Sequence, residues 1–299
     1  MRFGLTSPIV TLTPRGHGPW EESAGANELR QIAEAADRLG FYHMTCSEHV
    51  GIPVGVAPVR GSRYYDPLAT FGYLSAFTGR IRFATHVVVL PYHHPLEVAK
   101  RYGTLDRISG GRLILGVGVG SLEEEFRLIG AEFAKRGPVY EDGLRALREA
   151  LGKSMPTYHG THFAFDDFVI DPCAAQQRVP IWIGGRSERS LRRALEFADG
   201  WDPFGLGLED LKRLLERYRA KPAWQKREDR GEGLDLVLQP ERNLDLLTPD
   251  GVEKARAQCR AYQRVGATIL SVRFRSRTLE EFLDQLARAA EVLLPEFAA

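Results

Sequence analysis

Cysteine is scarce in this chain. Cys46, Cys173 and Cys259 are the 3 cysteines in 299 residues, an odd number with no CxxC spacing. That pattern argues against a disulfide framework and a cysteine-based zinc site, and it predicts a reducing, cytoplasmic setting. Excess charge is missing too. Lys and Arg number 40 against 39 Asp and Glu, and the basic residues are scattered, so no nucleic-acid partner is expected. No apolar run reaches the ~20 residues of a spanning helix, so no membrane association is expected either. The start, Met1-Arg2-Phe3-Gly4-Leu5, lacks the segments of a secretory signal. There is no GxSxG elbow, HExxH helix or Walker loop, which removes positive support for hydrolase and NTPase chemistry.

What is present is a repeated alternation. Hydrophobic residues make up 43% of the chain, enough for a large core. Short β-branched runs occur at Arg2–Thr6, Tyr42–Cys46, Ile81–Val88, Leu113–Val117, Ile181–Gly184, Gly200–Pro203, Leu234–Gln239 and Ile269–Phe274. Helical periodicity lies between them, as in Leu29, Ile32, Ala36 and Leu39, or Leu191, Ala194, Leu195 and Ala198. Eight such units predict an α/β fold, a (β/α)8 TIM barrel forming one domain over residues 1–299. Nearly continuous apolar strands fit a parallel sheet buried on both faces. Residues 153–179 interrupt the alternation before the fifth strand and are read as an insertion, a β-hairpin after a helix over Pro138–Leu151. The loop Gly51–Arg63 and this insertion are candidate walls of a pocket, with Tyr64, Tyr65, Phe163, Phe165 and Phe168 as aromatic lining. Lys221–Glu232 is highly charged and is expected to be solvated.

Four segments could carry chemistry. In Ile183-Gly184-Gly185-Arg186-Ser187 a strand meets two glycines and a helix start, where backbone N–H groups and the helix dipole favour an anion. The same residues equally make a tight turn with Ser187 as cap. Gly116, Gly118 and Gly120 alternate at the end of the fourth strand; they leave room for a flat ring or serve packing in a crowded barrel. Ser47-Glu48-His49 ends the second strand, on the face where barrel active sites lie, and His49 could move a proton near neutral pH. His86, His93 and His94 are close in sequence, but no carboxylate or cysteine at ligand spacing accompanies them, so no metal is expected.

In this order the segments resemble the bacterial luciferase-like monooxygenase superfamily, and within it the coenzyme F420-dependent oxidoreductase branch. Leu105-Asp106-Arg107-Ile108-Ser109-Gly110-Gly111-Arg112-Leu113-Ile114-Leu115-Gly116-Val117-Gly118-Val119-Gly120 is similar to the family's fourth-strand signature. Pro180-Ile181-Trp182-Ile183-Gly184-Gly185 is similar to its phosphate turn, and Ala198-Asp199-Gly200-Trp201 to its sixth strand. The resemblance implies a flavin-type cofactor, F420 or alternatively FMN, with its phosphate at Gly184, Gly185, Arg186 and Ser187. Its ring would lie near Val87, Val88, Gly118 and Gly120, with a non-proline cis peptide at Val87–Val88. Glu48 and His49 match the acidic-His pair beside the ring.

The implied activity is hydride transfer to or from a small organic substrate. The alternatives are an FMN-dependent two-component monooxygenase and a non-catalytic flavin-binding protein. A flavin or F420 reductase is an expected partner. A homodimer is expected through Asp66–Thr78 and Pro95–Arg107. One departure concerns Ser121, which stands where the sugar-phosphate dehydrogenase members have a proton-donating glutamate. Glu123, Glu124 and Glu125 follow it and read as a solvated helix start.

Overall fold

The computed structural model describes residues 1–14 and 16–298. Eight strands among them close a parallel barrel: β1 (Arg2–Leu5), β2 (His43–Cys46), β3 (Arg82–Thr85), β4 (Leu113–Gly118), β5 (Ile181–Gly184), β6 (Gly200–Asp202), β7 (Asp235–Leu238) and β8 (Ile269–Val272). Each pairs with the next, and β8 returns to β1 in the register Arg2↔Ile269 to Leu5↔Val272. Around it run α1 (Ala26–Leu39), α2 (Pro67–Ser75), α3 (Pro95–Ile108), α4 (Arg136–Ala150), α5 (Glu188–Phe197), α6 (Leu208–Arg219), α7 (Pro249–Val265) and α8 (Leu279–Val292). No described helix is long and apolar enough to cross a membrane.

The core has two compartments, as strand alternation requires. One set of side chains packs outward against the helices, among them Leu5, Met44, Phe83, Leu115, Ile183 and Leu270. The other fills the barrel itself: Ala84, Ile114, Trp182, Val237 and Ile269 form a separate inner cluster. His43 lies beside Trp182, ring centroids 5.2 Å apart. Space for these two rings comes from the neighbouring strands. A Cβ at Gly4 would fall 2.0 Å from His43, and one at Gly200 would fall 2.4 Å from Trp182.

The fourth-strand signature works mostly at the opposite end from the mouth. Asp106 accepts from the backbone N–H of Leu113 (3.1 Å) and Gln176 (2.9 Å). Arg112 donates to the carbonyls of Ser109 (2.6 Å), Ile81 (3.1 Å) and Ser75 (3.1 Å). These buried contacts tie α3 and the α2–β3 loop to the start of β4. The strongest sequence resemblance therefore marks a structural knot as much as a binding surface.

The insertion is a hairpin, Tyr158–His159 pairing antiparallel with Ala164–Phe165. Asp142 on α4 anchors it, accepting from Tyr158 Oη (2.7 Å) and from the N–H groups of His162 (2.7 Å) and Phe163 (2.9 Å). Two sequence expectations need correction. The segment after Lys221 is not simply solvated: it forms a short helix, Pro222–Asp229, that buries Trp224 and Arg227. The third strand does not run unbroken from residue 81 to 88. It ends at Thr85, and the chain rejoins β4 only at Val88–Val89.

Candidate active site

The strand ends place a polar floor inside the mouth. His86 follows β3, Asp202 ends β6 and Gln239 follows β7. His86 Nδ1 lies 2.7 Å from Asp202 Oδ2, and His86 Nε2 lies 3.2 Å from the Gln239 amide nitrogen. Burial pushes His86 down, but the charge and hydrogen bond of Asp202 outweigh it and hold the imidazole above its ordinary value.

Beside this floor stands His49. Its Nδ1 lies 2.9 Å from Glu125 Oε2, and the Tyr64 ring meets its edge at 4.4 Å between centroids. Glu125 corrects the sequence reading of a solvated acidic triplet: it is 1% exposed. It accepts from the N–H groups of Val50 (2.5 Å) and Gly51 (3.3 Å) and from Tyr92 Oη (2.9 Å). Burial works against its charge, yet the His49 and Tyr92 bonds and the Val50 N–H hold its carboxyl below the usual range. The pair fixes the His49 tautomer: Nδ1–H faces the carboxylate, and Nε2 is left as an acceptor. Spacing alone could not find Glu125, because Glu123 and Glu124 beside it are exposed.

Glu48 does not act with His49. Its carboxylate accepts from the N–H of Val89 (2.7 Å) and bonds His93 Nε2 (2.8 Å). Glu48 thus buttresses the chain after β3, and it raises the His93 imidazole against the opposing effect of burial. His94 is the N-cap of α3, accepting from Leu96 N–H at 3.2 Å. The three histidines of this segment take separate partners. Among the described residues no group of His, Cys, Asp or Glu is arranged to hold a metal.

The cis peptide lies at His86–Val87, one bond earlier than expected. The register gives the reason: Thr85 still pairs with Cys46, and Val88 already pairs with Val117. The bulge is therefore confined to His86 and Val87. Val88 is a core residue at 0% exposure, so only Val87 of the expected pair faces the mouth. Its methyl groups occupy the space that glycine leaves at two strand ends: a Cβ at Gly118 would fall 2.6 Å from Val87, and one at Gly184 2.7 Å. Gly120 serves a different neighbour, since a Cβ there would fall 2.6 Å from Phe126.

Gly184, Gly185, Arg186 and Ser187 form the turn into α5. Gly185 has φ +111°, which favours glycine. Ser187 is the N-cap, accepting from Ser190 N–H at 3.2 Å. Trp201 Nε1 and Ser190 Oγ bond the Gly185 carbonyl at 3.1 and 2.7 Å, so the turn is rigidly seated. Glu188 and Arg189 open the helix with N–H groups that have no acceptor one turn earlier. Arg186 is exposed beside them. A rigid turn, helix-start N–H groups and an exposed arginine with no ion pair among the described residues suit a phosphate.

The aromatic candidates divide. Tyr64 belongs to the mouth through His49. Phe163 and Phe165 pack on His94 instead, at 5.4 and 6.4 Å between centroids, and Phe168 is 62% exposed. They cover the flank of the barrel. Ser121 receives Arg60 at 3.2 Å, linking the loop after β2 to the loop after β4.

A parallel eightfold barrel with its polar groups at the carboxyl ends of the strands defines the class. Residues 1–292 match the luciferase-like monooxygenase family, and the chain belongs to that family. The uncharacterized protein Mb0965c of Mycobacterium bovis is 30% identical over 235 residues, 75% of this chain and 79% of that protein. The fold is shared with two enzymes of different cofactor. The coenzyme F420-dependent tetrahydromethanopterin reductase of Methanopyrus kandleri aligns with TM-score 0.68 and 15% identity, covering 99% of both chains. The oxygenating constituent of 3,6-diketocamphane monooxygenase of Pseudomonas putida, in complex with FMN, aligns with TM-score 0.75 and 17% identity, covering 99% of this chain and 98% of that one.

Proposed function

We propose that this protein is an oxidoreductase that uses a flavin-type cofactor, F420, for hydride transfer to or from a small organic substrate. The observation that carries the reading is the convergence at one barrel end of a rigid phosphate-type turn, a half-buried Val87 and a carboxylate-fixed histidine. Gly185, Arg186 and the first N–H groups of α5 would hold the cofactor phosphate, and Val87 would lie against the ring system. When bound, a deazaflavin supplies the carbon that gives or takes hydride.

The chain's own residues position the substrate. Glu125 keeps the Nδ1–H of His49 turned toward its carboxylate, so Nε2 is held as an acceptor that positions a substrate donor. The Tyr64 ring and the Glu125 bond together restrict the imidazole plane, which orients Nε2 before a ligand arrives. The bonds from Val50 and Gly51 to Glu125 couple this geometry to the 51–63 loop, which can exclude water from one side of the mouth.

FMN is the second reading. It is supported by the FMN-containing monooxygenase with the same fold and by Ser121 in place of a proton-donating glutamate. In that case a separate reductase would supply reduced flavin. Titration of the purified protein with each cofactor, oxidised and reduced, separates the two. Micromolar F420 binding with no FMN binding is expected; the reverse outcome overturns F420. A homodimer through α2 and α3 accords with the apolar side chains exposed there, Tyr73, Phe77 and Ile108, and light scattering of the eluted protein tests it.

A further inference from the structure

The His49–Glu125 pair leaves a second ionisable pair in the same mouth without a role. His86 lies just after β3, and Asp202 ends β6. The His86 side chain is 12% exposed and that of Asp202 is 2% exposed. Asp202 uses one carboxylate oxygen for His86 Nδ1, and its Oδ1 is buried with no partner among the described residues. Burying a carboxylate in this way is costly unless a cation is held against it, so the site is built around a charged imidazole. The charged and titratable groups facing that ring are Asp202 from β6 and His43 from β2, the latter kept neutral by burial at about 3. Gln239 from β7 and Phe204, its ring centroid 6.1 Å away, complete the surroundings.

A fixed Nδ1 leaves one productive direction for chemistry. Nε2 points away from Asp202 toward Gln239, whose amide presents either a hydrogen or an oxygen by rotating about its last bond. The ring can therefore be charged or neutral without losing its neighbour. We propose that His86, held by Asp202, is the proton donor for an oxygen acceptor on the substrate, a carbonyl oxygen that enters the barrel mouth. The hydride source in this step rests on the reading given above. With a reduced cofactor bound, the substrate carbon would take a hydride, two electrons and a proton, from it. The attached oxygen receives the Nε2 proton, so C=O becomes CH–OH. His86 is left as a neutral imidazole with its Nδ1–H still on Asp202, and solvent restores the lost proton.

The test uses whole protein labelled with 15N-histidine and 4-nitrophenolate as the oxyanion probe. In the wild type, the His86 resonance, identified by its loss in His86→Gln, should titrate above the ordinary histidine range, and Asp202→Asn should bring it back down. The probe should bind the wild type at least tenfold more tightly than His86→Gln, and its affinity should fall as pH rises through the His86 titration. Equal probe affinity in wild type and variant overturns the proposal, as does absence of probe binding or a His86 titration indifferent to Asp202→Asn. F420 and FMN titrations on the same samples report separately. If neither binds the wild type, the flavin reading fails, while the resonance and the probe still decide the role of His86. Should His86→Gln fail to fold, His86→Asn takes its place in both the assignment and the affinity comparison.

Discussion

Glu125 is a single carboxylate that ties three chain segments together. Four donors reach it, from His49, Val50, Gly51 and Tyr92, so removing its charge loosens the β2 loop, the β3 loop and the helix that follows β4 at once. Glu125→Gln places an NH2 where only acceptors fit. It should cost roughly 1.5–3 kcal/mol at neutral pH, the range for hydrogen bonds to a charged group. The pH dependence has a definite sign. The carboxyl is held below its ordinary value of 4.5, so its contribution is present above that value and is lost as pH falls through the lower folded-state value. Urea midpoints of wild type and variant should therefore differ at pH 7 and converge toward pH 3; a gap that stays constant would show that the carboxylate charge is not the source. Of the pair expected to flank the ring, His49 lies in the mouth and Glu48 is turned into the wall. Sequence adjacency on an extended chain sends neighbours to opposite sides, which is why the partner of His49 comes from 76 residues away.

At the scale of elements, much of the barrel was legible because both faces of each strand are apolar and the helices keep a regular stripe. The eight expected strands agree in number and order with the eight observed, and β5 coincides residue for residue at Ile181–Gly184. The bulge at His86–Val87 was not legible. A two-residue departure from the ladder leaves the composition of a valine-rich run unchanged, and only the register with β2 and β4 locates it. The alternating glycines were seen, yet their use was not, since the side chain they accommodate belongs to another strand. Val87 sits between Gly118 and Gly184, each of which would place a Cβ within 2.7 Å of it. Valine is stiff about χ1 and cannot swing aside, so Gly184→Ala should cost about 1–3 kcal/mol by overpacking. Val87→Ala in the same chain should recover most of that loss. A double-mutant cycle on chemical denaturation measures the coupling; additive effects would mean that the strand end, and not Val87, rejects the methyl group.

Across the whole molecule the barrel interior is layered from apolar to ionic. Trp182 and its aliphatic neighbours fill the middle, His43 lies among them, and His86 with Asp202 forms the floor of the mouth. His43 is fully buried and hydrogen-bonded by Nε2 to Ser271 Oγ at 3.0 Å, while its Nδ1 has no partner among the described residues. A neutral ring with the hydrogen on Nε2 satisfies this arrangement, because the lone atom is then an acceptor and not a stranded donor. Burial and the nearby charge of His86 depress His43 from 6.5 to about 3. The unfolded chain therefore binds a proton that the folded barrel refuses, and stability falls as pH drops below about 6.5. Lowering the imidazole from 6.5 to about 3 is worth on the order of 5 kcal/mol once pH is below both values, and about 2 kcal/mol of it is already lost at pH 5. His43→Gln keeps a donor for Ser271 and carries no titratable group. The variant should be less stable than wild type at pH 7 because the ring's packing against Trp182 is lost. Its disadvantage should shrink by about 2 kcal/mol when both proteins are unfolded with urea at pH 5. Parallel curves at the two pH values would place the acid sensitivity of the barrel elsewhere, in its surface carboxylates. Convergence would show that a neutral imidazole in the middle layer is a condition of the fold on which the ionic floor above it stands.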